Sequence, residues 1–174
     1  MAYYSYLNMN NKNSFAYELG GKLVKSTPIF LCVGNSNVVA DCFGPLVGEI
    51  LTKKYGISGV FGNLENNITS KNINQIYQMI KLKYPNKKVV IIDAALSESN
   101  NVGLVNFLNT GCVPACFTNF KIMGDYSILG LTNVKGVNGL MFLKTVKFNM
   151  VLNMAKFVAE SIFKSINLIK KVNS

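Results

Sequence analysis

The stretch KKVVIIDAAL (residues 87–96) holds four consecutive β-branched residues with no polar residue among them. Side chains of this kind are stiff at χ1 and pack well on a pleated surface, so the run predicts a strand. A strand with one wet face alternates apolar and polar residues. This one does not alternate, so both of its faces must be covered. Such a strand belongs in a parallel sheet with helices above and below.

Other segments fit that architecture. PIFLCVG (28–34) reads as the first clear strand, and GVFG (59–62) as a short second one. Between them, Pro45 suits a first helical turn, and Leu46, Val47, Ile50 and Leu51 form an apolar stripe that KKYG ends. Thr69 or Ser70 can cap a helix carrying Ile73, Ile76, Tyr77 and Ile80, which KYPN stops. GLVNFL (103–108) and YSILGLT (126–132) are further strands, and GLMFLKTV (139–146) fits either strand or helix. From Lys147 to Lys171 apolar residues keep helical spacing, which predicts a long amphipathic helix on the sheet. The 174 residues contain no linker-like stretch or internal repeat, so a single domain is expected.

The chain carries 18 basic and 8 acidic residues, a net charge of +10. Every basic residue is lysine, scattered along the chain, and the forked guanidinium favoured for reading phosphates and bases is absent. Nucleic acid is therefore not expected as the main partner. Apolar runs break well before membrane-spanning length, and the first 25 residues lack a secretory pattern. A cytoplasmic location with no membrane partner is the expectation. Cys32, Cys42, Cys112 and Cys116 fit buried or free thiols, since no histidine or second cysteine pair completes a zinc site. The lack of histidine also removes Ser-His and Cys-His nucleophile pairs.

Among the acidic residues, Asp41 and Asp93 each follow an apolar strand at its carboxyl end, where open α/β sheets hold their ligands. If those strands are neighbours, two carboxylates face one crevice. Mutual repulsion then leaves one protonated and lets the other take a proton from water. Asp41 fits a second role equally well, as an N-cap to the helix opened by Gly44 and Pro45. Asp125, in MGDYS, reads as a turn residue or as a further crevice group, and Glu65 follows a short strand in the same manner.

In order along the chain, CVGNSNVVADCFGPLVGEIL, VFGNLENNITSKNI, VVIIDAALSESNNVG and GDYSILGLTNVKG resemble the blocks of the YyaC-type sporulation proteins. The first block also resembles that of the spore germination protease. The hydrogenase-maturation endopeptidases look like more distant cousins. The resemblance spans roughly residues 28–160 and leaves residues 1–25 unmatched. It implies a three-layer α/β/α domain with a mostly parallel sheet, of the phosphorylase/hydrolase-like kind seen in those peptidases. It also implies that Asp41 and Asp93 are the catalytic pair, with Gly34, Asn35, Glu65 and Asp125 binding substrate or shaping the site. In the hydrogenase-maturation relatives a histidine joins the acidic pair to bind nickel, and this chain has none. Where the sporulation proteins carry a Pro-Gly-small-Gly loop, this chain has NTGCVPACF (109–117).

The expectation is a sporulation-associated endopeptidase of the spore interior or sporulating cell, cleaving a small spore protein by water activation without metal or other cofactor. A non-catalytic binding protein keeping the same fold is the alternative. A third reading has Asp41 and Asp93, with Glu65 or Asp125, hold a hard cation such as magnesium or manganese. Self-association is compatible with the sequence.

Overall fold

The structure, a computed structural model, describes residues 2–23, 27–114, 121–135 and 146–172. In chain order its elements are β1 (Ala2–Ser5), α1 (Met9–Lys22), β2 (Ile29–Cys32), a 3₁₀ turn (Val39–Asp41) and α2 (Phe43–Glu49), which a π-helical turn (Ile50–Lys54) continues. There follow β3 (Val60–Phe61), α3 (Ile73–Lys83), β4 (Val89–Ser97), a 3₁₀ turn (Ser99–Asn101), β5 (Leu104–Leu108), β6 (Tyr126–Val134) and α4 (Phe148–Val172). Most of the segment read as ambiguous, residues 139–145, and Cys116 lie outside the described residues. No helix among them is long and apolar enough to cross a membrane.

The strands form one six-stranded sheet in the order β1-β5-β6-β4-β2-β3. β6, β4, β2 and β3 run parallel, while β5 and β1 join antiparallel at one edge. The β-branched run thus lies between β2 and β6, with Ile92 opposite Cys32 on one side and Ile128 on the other.

Strand alternation divides the core. Val90 and Ile92 join Phe30, Cys32, Phe107 and Ile128 on the face covered by α1, α2 and α4. Val89 and Ile91 join Ile29 and Leu31 on the opposite face, where α3 contributes Ile73 and Ile80. Those four β4 residues are fully buried, at about 1.5–3 kcal/mol each. This explains the missing alternation in the sequence: each face has its own helical layer.

α2 lies unusually close to the strands because of its glycines. A Cβ at Gly44 would stand 2.1 Å from the Val33 carbonyl oxygen, and one at Gly48 1.9 Å from that of Gly62. A Cβ at Gly130 of β6 would strike the Phe43 ring at 2.6 Å. Gly44 and Gly48 thus allow close approach of backbones, and Gly130 makes room for the Phe43 ring; none of the three serves to form a turn.

Residues 2–22, to which the motifs assigned no element, form β1 and α1. The Asn8 side chain accepts the Asn10 N–H at 3.0 Å and caps α1, which buries Phe15, Ala16 and Leu19. Phe15 stacks on Phe157 of α4, and Lys12 pairs with Glu160. The cap expected at Thr69 or Ser70 is arranged differently: α3 starts after Asn72, whose Oδ1 accepts the Thr69 N–H at 2.9 Å.

Candidate functional site

β2 ends at Cys32 while β4 continues to Ser97. Gly34, at φ 138°, turns the chain out of the sheet and donates its N–H to the Ile68 carbonyl at 2.8 Å. A Cβ there would lie 2.0 Å from the Asp41 carbonyl oxygen, so only glycine lets the returning turn close on it. The loop is pinned beyond this point. The Ser36 N–H donates to Asn67 Oδ1 at 3.0 Å and its hydroxyl to the Leu64 carbonyl at 3.1 Å.

Asp41 closes the 3₁₀ turn, half-buried, and its Oδ2 accepts the Asn35 N–H at 2.8 Å. It does not cap α2, whose N-cap is Cys42 with no side-chain hydrogen bond. Burial pushes the Asp41 carboxyl above the usual aspartate range, and the Asn35 N–H opposes that shift in part. On its other side the turn is tied to β6, because the Thr132 hydroxyl donates to the Ala40 carbonyl at 2.8 Å. The result is a cleft of about 330 Å³ lined by Val38, Ala40, Asp41, Ala94–Leu96, Thr132 and Asn133. It opens at the carboxyl edge of the parallel strands, where ligands of such sheets bind.

Asp93, expected at the carboxyl end of its strand, is instead the middle residue of β4, which runs on to Ser97; it is 2% exposed, and its Oδ1 accepts the Ala94 N–H at 2.8 Å. By alternation it belongs to the sheet face of Val89 and Ile91, opposite Leu129, and it is not among the residues lining the Asp41 cleft. On that face its charge reaches Cys112. Burial pushes the Cys112 thiol up to about 11, the Ser127 hydroxyl opposing and Asp93 adding to the shift. Asp41 therefore closes a turn after β2 while Asp93 lies within β4, on the face away from the cleft lining.

Of the other expected site residues, Gly34 and Asn35 hold the Asp41 turn together. Glu65 does not join them: its side chain is 68% exposed and pairs with Lys53 at 3.3 Å. Asp125 lies at the opposite edge of the sheet, before β6, and accepts Lys88 Nζ at 2.7 Å and the Val89 N–H at 2.9 Å. Burial alone would raise its carboxyl, but these donors outweigh it and hold Asp125 below the ordinary range. Its role is to tie the amino ends of β4 and β6. With Glu65 and Asp125 elsewhere, the oxygen-ligand set expected for a hard cation does not assemble, and no group of three or more His, Cys, Asp or Glu residues is placed to hold a metal among the described residues. Thr132 and Asn133, which do line the cleft, escaped the sequence reading. Their signal was position alone, at the end of a strand parallel to β4.

These features define a three-layer α/β/α protein with a carboxylate-bearing cleft at the carboxyl edge of its parallel strands. The chain belongs to the family described as "Protein of unknown function (DUF1256)", whose model matches residues 3–161. α1 and all of β1 but Ala2 thus fall within the matched span. The uncharacterized protein YyaC of Bacillus subtilis is 28% identical over 138 residues, covering 77% of this chain and 67% of that protein. The crystal structure of the NiFe hydrogenase maturation protease HycI from Thermococcus kodakarensis is similar at a TM-score of 0.48 and 18% identity, over 83% of this chain and 98% of that one.

Proposed function

We propose that this protein is an endopeptidase-like hydrolase in which Asp41 is the general base of the cleft and Asp93 the second carboxylate. The observation that carries this reading is Asp41 itself, a half-buried carboxylate whose proton affinity burial has raised, facing a cleft at the carboxyl edge. Such a group accepts a proton from water more readily than a solvated aspartate does. The motif resemblance to the spore germination protease supports a small spore protein as substrate and a cytoplasmic setting in the spore or sporulating cell. In the test, purified protein is incubated with a small spore protein, and cleavage is followed by mass spectrometry. Asp41→Asn and Asp93→Asn are each expected to lower the rate by about 10²–10⁴-fold. Wild-type rates in either variant would remove that residue from the mechanism.

A second reading is a non-catalytic binding protein, favoured by the assignment of Asp93 to the sheet face away from the cleft lining. It expects a stable complex with the spore protein, uncleaved on long incubation and insensitive to Asp41→Asn.

A further inference from the structure

β4 outruns β2, and this leaves one edge of a central strand without a neighbouring strand among the described residues. The β2–β4 ladder ends with Cys32 opposite Ile92, and the Val33 N–H donates to the Ile92 carbonyl at 2.8 Å. Backbone groups of alternate residues point to the same side of a strand. Lys88 and Ile92 direct their carbonyls toward β2, whereas Val89 and Ser97 accept from Asp125 and Lys135 on the β6 side. Ala94 and Leu96 therefore present N–H and C=O to the side that β2 has vacated. The Ala94 N–H is taken by the Asp93 carboxylate. Among the described residues nothing bonds to the Ala94 carbonyl or to either backbone group of Leu96 on that side. The same residues line the cleft with Asp41, and the Leu96 side chain is 54% exposed.

We propose that the free edge of β4 at Ala94–Leu96 is a β-augmentation site that takes an extended peptide segment of the protein substrate as an added strand beside Asp41. An incoming strand donates an N–H to the Ala94 carbonyl and accepts the Leu96 N–H. Main-chain bonds of this kind supply affinity, and pockets for alternate side chains supply selectivity. Unpaired strand edges are otherwise a liability that proteins cover. Charge gives the occupant its character. The chain carries a net charge of +10, and a second cleft of about 360 Å³ that shares Thr132 and Asn133 with the first includes Lys147, so an acidic segment is the complementary occupant. The inference deepens the peptidase reading and rests on it for the identity of the ligand as substrate. Its test reads binding alone and so stands apart from turnover.

The probe is the capped pentapeptide acetyl-Val-Thr-Val-Glu-Val-amide, added to ¹⁵N-labelled wild-type protein up to about 1 mM. The expected result is a saturable shift of the Leu96 amide resonance and about tenfold slower exchange of that amide. N-methylation of the peptide at alternate residues in one frame should abolish the shift, and methylation in the other frame should leave it. Leu96→Pro, which deletes the donor at an exposed strand end, should lose the probe while keeping the wild-type melting temperature. An unmoved Leu96 amide, equal effects of both methylation frames, or undiminished binding to a folded Leu96→Pro variant would each overturn the proposal. Cleavage failing while these shifts persist would sink the catalytic reading and leave the strand site standing.

Discussion

Replacing Gly44 by alanine should destabilise this protein, although the same change at Gly21 should stabilise it. Both glycines lie in helices, where alanine is favoured over glycine by about 1 kcal/mol. At Gly21 a Cβ meets nothing within 4 Å, so that preference acts unopposed. At Gly44 the Cβ would lie 2.1 Å from the Val33 carbonyl oxygen, just past β2, and 2.7 Å from that of Ile92 in β4, both backbone atoms. Real Cβ atoms essentially never approach closer than 3.0 Å, so α2 would have to lift by roughly 0.9 Å. Overpacking of this kind costs about 1–3 kcal/mol, which outweighs the helix gain or at least cancels it. For a chain of this length each kcal/mol moves Tm by about 2–4 °C, so Gly44→Ala should fall by up to about 8 °C while Gly21→Ala rises by about 2–4 °C. Thermal and urea unfolding followed by circular dichroism measure both. A Gly44→Ala variant as stable as Gly21→Ala would refute the claim that α2 is held against the strands by backbone contact.

Two further outcomes follow from the carboxylates. Because burial raises the Asp41 pKa, the folded state holds its proton at pH values where the unfolded chain has released it, so ionisation costs stability as pH rises. Asp41→Asn should therefore melt above wild type at pH 7, with the gain vanishing once pH falls below the ordinary aspartate value, as scanning calorimetry across pH would register. Asp125 carries the opposite sign: its lowered pKa contributes stability at neutral pH that is lost as pH drops through the folded value. Asp125→Asn, whose amide oxygen can still accept the Val89 N–H but without a charge, should cost about 1 kcal/mol at pH 7, with little from the exposed Lys88 pair, and less in acid; a pH-independent loss would contradict the assignment.

The residues that announced themselves in the sequence were those whose pattern is local. VVII lacked alternation because Val89 and Ile91 face one helical layer and Val90 and Ile92 the other. α4 was legible from spacing alone. Asp41 stood out as a rare carboxylate at a strand end, and it does face the cleft. Its helix-cap alternative failed because the chain makes a separate 3₁₀ turn first, a geometry that no residue type demanded. α1 was hidden by its polar start, NNKNS, although Phe15, Leu19 and Leu23 carry helical spacing. Asp125 misled because a Gly-Asp pair opening a strand looks the same at either edge of a sheet. Which edge it occupies depends on the direction of the strand that follows, and β6 runs away from it. The sidedness of Asp93 needed the sheet order, since alternation assigns a face only once the layer over each face is known.

The antiparallel edge strand has a consequence for how the chain is made. β1 pairs with β5, and α1 rests on α4 through Phe15 and Phe157. A ribosome delivers residues 2–22 before either of their partners: the partner strand arrives with residue 104 and the partner helix only with residue 148. At about 5–20 residues per second, the leading hairpin of strand and helix spends several seconds with its apolar stripe unclaimed. Fourteen residues are about the length at which an isolated helix is marginal in water, so α1 waits largely unformed. Residues 2–22 are thus made well before they lock: β1 can pair once β5 has emerged, but α1 gains its packing partner only after the helix from Phe148 has followed.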